Sequence, residues 1–111
     1  MKKKLKIRER AKLLEVLPQF HNYKTMKAIK EFIDKELVFT EDECRKFSIE
    51  TVIMPNGARQ LRFDDEASQN YQKEMNFDPL VAGAIVESLK NLDKQNKITV
   101  EHLPVWEKFI G

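Results

Sequence analysis

The stretch FSIETVIMPNGARQLRF, residues 47 to 63, constrains the fold of this chain more tightly than any other. Two runs rich in apolar and β-branched residues flank Pro55-Asn56-Gly57, which is the pattern of a β-hairpin. Its register depends on the turn. A two-residue Asn56-Gly57 turn pairs Pro55 with Ala58 and Ile53 with Gln60, and it scatters the apolar residues over both faces. A three-residue loop, Pro55-Asn56-Gly57, pairs Met54 with Ala58, Ile53 with Arg59, Thr51 with Leu61 and Ile49 with Phe63. Phe47, Ile49, Thr51, Ile53, Leu61 and Phe63 then share one face. Register follows the face that must be buried, so the three-residue loop is expected. Proline suits the first central position of a type I turn, and glycine supplies the left-handed residue of the bulge that closes it.

The flanking sequence predicts helices and one more strand. Leu5 and Ile7 alternate with basic residues, which predicts a short extended start. Ala11, Leu14 and Leu17, with Leu13 beside them, predict a helix from Arg8 that stops at Pro18, because the residue before proline is pushed out of the α region. Thr25 is the expected N-cap of a second helix, with Met26, Ile29, Ile33 and Leu37 as its stripe. Thr40 and Glu43 have the spacing of a capping box, and Phe39 with Cys44 that of a hydrophobic staple, so a short third helix opens there. YQKEMNF, residues 71 to 77, predicts a third strand with Tyr71, Lys73, Met75 and Phe77 on one side. Asp78 caps and Pro79 opens a helix that carries Val81, Ala84, Ile85, Leu89 and Leu92 and ends near Asn96. A last short helix runs from Leu103 to Ile110, since Pro104 would break a helix continued from Thr99.

The fold class is therefore α+β: N-terminal helices, a central antiparallel β-hairpin or three-stranded sheet, and C-terminal helices packed on it. The apolar hairpin face is expected to lie against Val81, Ile85, Leu89 and Leu92. At 111 residues the chain is expected to be one small domain, residues 1–111, with a basic N-terminal arm over about residues 1–7. No apolar run approaches the ~20 residues of a membrane span. A single cysteine leaves no internal disulfide, which fits a cytoplasmic setting.

Charge and residue types exclude most chemistry. The net charge is +2, but the first twelve residues hold seven lysines and arginines against one glutamate, so the rest of the chain is net negative. His21, Cys44 and His102 are scattered without the paired spacing of a zinc site. Asp64, Asp65, Glu66, Glu74 and Asp78 lack the spacing of a calcium loop and read as solvated. Three glycines, Gly57, Gly83 and Gly111, cannot build a phosphate-cradling loop. Hence no catalytic residue, metal ligand or cofactor is expected. Two surfaces are candidates for binding. Lys2, Lys3, Lys4, Lys6, Arg8 and Arg10 are candidate phosphate contacts for a nucleic acid. Trp106 and Phe109, three apart on one helical face, either pack on the body or serve as a partner anchor. The order helix, helix, short helix, hairpin is also that of a winged-helix DNA binder. There, however, the third helix would present Glu41, Asp42 and Glu43 to phosphates, and the wing offers only Arg59 and Arg62.

RERAKLLEVLP, TMKAIKEF, FTEDE and AIVESLKNLDKQNKITVEHLPVWEKF together resemble a family of small uncharacterised bacteriophage and prophage proteins. The resemblance spans most of the chain and departs at Val105-Trp106, where the family pattern has Leu-Tyr. It implies a phage origin and a host-cytoplasm setting, and it brings no catalytic residues. The expected function is that of a small non-enzymatic interaction protein binding a host or phage protein, with a nucleic-acid-binding accessory role as the alternative.

Overall fold

The computed structural model describes residues 1–111, the side chain of Arg59 excepted. The chain is α+β and runs β1 (Lys2–Leu5), α1 (Ile7–Val16), α2 (Tyr23–Phe32), a π-helical turn (Ile33–Leu37), α3 (Glu41–Lys46), β2 (Glu50–Ile53), β3 (Arg59–Arg62), α4 (Asp65–Ser68), β4 (Lys73–Asn76), α5 (Pro79–Lys94), a 3-10 turn (Val100–His102) and α6 (Leu103–Phe109). No described helix is long and apolar enough to cross a membrane.

Local signals hold where the physics is local. In the hairpin Thr51 pairs with Leu61 and Ile53 with Arg59. The Met54 N–H donates to the Ala58 carbonyl at 2.8 Å, and Gly57 closes the loop at φ +85°. This is the three-residue loop in the expected register. A Cβ on Gly57 would meet nothing within 4 Å, so only the backbone conformation resists substitution there. Gly57→Ala is expected to cost about 1 kcal/mol in urea denaturation. A variant as stable as the parent would mean that the turn does not hold this conformation in solution. Asp78 caps α5 by accepting from the Leu80 N–H at 2.8 Å, with Pro79 in the first turn. That helix closes at Asn96, which takes φ +57° while the Lys97 N–H reaches back to the Leu92 carbonyl at 2.8 Å, as left-handed helix ends do. The cap of α2 is Asn22 rather than Thr25: Asn22 Oδ1 accepts from the Thr25 N–H at 2.8 Å, and Thr25 is buried one turn in.

The sheets depart from expectation. The strand at Lys73–Asn76 has its expected faces, with Met75 and Phe77 buried, but it does not extend the hairpin. It pairs antiparallel with β1, Lys2 against Asn76 and Leu5 against Lys73, so the molecule has two separate two-stranded sheets. The basic N-terminus is therefore no free arm: residues 2–5 are a strand of the body, and Leu5 and Ile7 are fully buried. The far end of the chain ties this strand in place, since Lys108 of α6 donates to the Lys4 carbonyl and to Glu9.

Two apolar clusters result. The larger joins Leu5, Met75 and Phe77 to Leu13, Ile29, Phe32, Val81, Ile85, Leu89 and Val105. Phe77 sits between Phe32 and Phe109, with ring centroids 4.9 Å and 5.0 Å away. The smaller gathers Ile7, Phe47 and Ile49 with Phe39, Cys44, Leu61, Phe63 and Tyr71. The C-terminal helices thus pack on the β1–β4 sheet and the N-terminal helices, and the hairpin rests on Ile7 and α3. The expected docking of the hairpin face on α5 is corrected accordingly. Toward its tip that face is uncovered, and Ile53 is 72% exposed.

Candidate interaction groove between the first helix and the hairpin

The site begins with the orientation of α1. The sequence stripe of Ala11, Leu14 and Leu17 would turn Leu14 inward. Instead Ile7, Arg10, Leu13 and Val16 are buried and Leu14 is 43% exposed. The cause is Arg10, which takes a core position with no exposed surface. Its guanidinium grips Glu43 with both terminal nitrogens, at 2.6 and 3.2 Å. It also donates to the carbonyls of Leu37 and Val38, the end of the π-helical turn, and lies 4.4 Å from the Phe39 ring. A buried arginine is tolerated only with such pairing, and the planar fork suits a carboxylate plus carbonyls.

Glu43 is the hub. Its capping box with Thr40 is present as expected: the Thr40 N–H donates to the carboxylate at 2.9 Å, and the Glu43 N–H donates to the Thr40 hydroxyl at 3.1 Å. Phe39 and Cys44, the expected staple, both join the smaller cluster. The Tyr71 hydroxyl adds a 2.6 Å bond to the carboxylate. Burial pushes the Glu43 carboxyl up, but the hydrogen bonds from Arg10, Tyr71 and Thr40 and the charge of Arg10 outweigh it and hold it down at about 2. One side chain therefore ties α1, α3 and the segment leading into β4 together beneath the hairpin.

This latch leaves α1 and the hairpin facing each other across a groove of about 890 Å³. Ala11, Leu14 and Glu15 line one wall, Thr51, Leu61 and Phe63 the other. Leu61 and Phe63 are half-buried, and Thr51 and Leu14 are open to solvent. At the rim Lys12 donates to Glu15 at 2.7 Å and stands 3.1 Å from Glu101. Arg8 is paired with Asp65.

The six candidate phosphate contacts are dispersed. Arg10 is buried on Glu43 and is no surface residue, which removes it from that set. Lys2 lies 3.9 Å from Glu74, Lys3 stands over the Phe109 ring at 5.4 Å, and Arg8 is held by Asp65. Only Lys2 and Lys4 share the outward face of β1, and Lys6 lines a separate crevice with Arg8 and Asp65. The wing residue Arg59 has its side chain outside the described residues. Trp106 and Phe109 pack against the larger cluster, Phe109 edge-on to Phe77, so they serve the core. His102 caps its own turn, Nδ1 accepting from the Thr99 N–H at 2.9 Å. Asp64 caps α4 and Asp78 caps α5. Among the described residues no group of three or more His, Cys, Asp or Glu is placed to hold a metal ion. Sequence reasoning missed Leu14 as a surface residue and Arg10 as a core residue. The Arg10-xx-Leu13-xx-Val16 spacing was the signal available, hidden because arginine is ordinarily counted as polar. It also passed over Phe20 and Tyr23 before and at the start of α2, which are 87% and 80% exposed. Comparison of the chain with family models, with curated proteins and with solved structures finds no match.

Proposed function

We propose that the chain is a small non-enzymatic interaction protein of phage type, which binds a host or phage protein in the groove between α1 and the β2–β3 hairpin. The observation that carries the reading is the groove itself: Leu14, Leu61 and Phe63 offer apolar surface along its walls, and the Arg10–Glu43–Tyr71 contacts tie α1 to α3 and to the segment before β4. A preformed site of this kind binds without first ordering its own loops, which is where much affinity is otherwise lost. The phage character rests on the sequence resemblance alone.

Affinity capture from host lysate with the parent chain and with Leu14→Asp tests the reading. Leu14 is 43% exposed and belongs to neither apolar cluster, so the substitution is expected to leave the chain folded, which a thermal melt checks. A specific partner should be retained by the parent and at least about tenfold depleted on the variant, the cost of a charge in an apolar contact. A partner held equally by the parent, by Leu14→Asp and by Thr51→Arg would place binding elsewhere and overturn it.

A further inference from the structure

We propose that the segment this groove accepts is cationic and amphipathic, laying apolar side chains on Leu14, Leu61 and Phe63 and setting lysine or arginine against Glu15 and Glu101. The inference rests on the groove being the binding surface and adds the chemistry of its occupant. Lys12 is shared between the two carboxylates, and its side chain is only 14% exposed, whereas Glu15 and Glu101 are 68% and 66% exposed. The cation is sunk and the anions face solvent. Among the described side chains, one ammonium against two carboxylates leaves a negative charge over at this rim, and Arg8 there is paired with Asp65. Glu101 is ionised at neutral pH as any exposed glutamate is, and the hydrogen bond from Lys12 and its charge lower the carboxyl pKa further. An acidic segment or a nucleic-acid backbone would bring like charge to this rim as water leaves the groove. A basic one meets opposite charge, which gives both faster encounter and choice of partner.

The test uses two short synthetic peptides, one of leucine and lysine in amphipathic order, the other with glutamate in place of lysine. Binding is followed by backbone amide shifts of the full-length chain and by fluorescence titration. The lysine peptide is expected to shift the amides of Ala11, Leu14, Thr51 and Leu61 and to bind at least about tenfold more tightly than the glutamate peptide at low salt. Glu15→Gln with Glu101→Gln should erase most of that preference while the shifts still map to the groove. If both peptides bind the groove equally, or the preference survives the double substitution, the charge assignment fails and the groove remains a binding surface. If the shifts map elsewhere, or Leu14→Asp leaves both affinities unchanged, the groove reading fails with it.

Discussion

Arg10→Met is expected to lower the stability of the protein by about 3–5 kcal/mol at neutral pH, because it leaves the Glu43 carboxylate buried and without its cation. Methionine fills much of the space of the arginine stem, so the loss reports the charge and not a cavity. The carbonyls of Leu37 and Val38 lose their donor as well. The effect depends on pH in a defined sense. The folded pKa of Glu43, about 2, is below its ordinary 4.5. The stabilisation is therefore complete above pH 4.5 and is lost as pH falls toward 2, and the gap corresponds to about 3 kcal/mol. Urea denaturation of parent and variant from pH 7 down to pH 3 should show the difference between them narrowing below pH 4.5. A difference that stays constant over that range would mean that the arginine stabilises by packing alone. The net stability of a domain this size is only roughly 5–15 kcal/mol, so the variant stands close to unfolding.

Phe77→Ala is expected to cost about 3–5 kcal/mol, the range for a buried aromatic truncated in a core that relaxes only in part. Phe77 is 1% exposed, sits just after β4, and touches rings from α2 and α6. Ile53→Ala, by contrast, should stay within about 0.5 kcal/mol of the parent, since Ile53 faces water near the hairpin tip. The pair of variants decides where the core lies. If Ile53→Ala falls as far as Phe77→Ala, the inner hairpin face is covered in solution, as its apolar pattern taken alone suggests.

The elements that could be read in the sequence are those whose energetics close within a few residues. The hairpin register follows from a three-residue loop and one shared face. The capping box of Thr40 and Glu43, the Asp78-Pro79 opening of α5 and the left-handed Asn96 that ends it each satisfy backbone groups of their own turn. α+β as a class follows from the same local periods. The groove was not legible, because each wall depends on a contact made elsewhere.

What the sequence by itself determined is therefore the main helices and strands and those ends that a local cap or turn closes; the short α4, the π-helical turn and the Asn22 cap of α2 were not read from it. The tertiary structure alone decided their partners. β1 joins β4 across most of the chain, Lys2 opposite Asn76, although lysines are weak strand formers. The pairing wins because it places Leu5 beside Met75 in the larger core, and an apolar pattern names a face to bury without naming what buries it. Arg10 rotated the buried face of α1 away from Leu14 for a related reason. A charged side chain belongs at the surface unless a carboxylate and carbonyls meet it inside, and those groups come from Leu37, Val38 and Glu43, far along the chain. Once they meet it, Leu14 is turned outward, and the surface left between α1 and the hairpin becomes the groove.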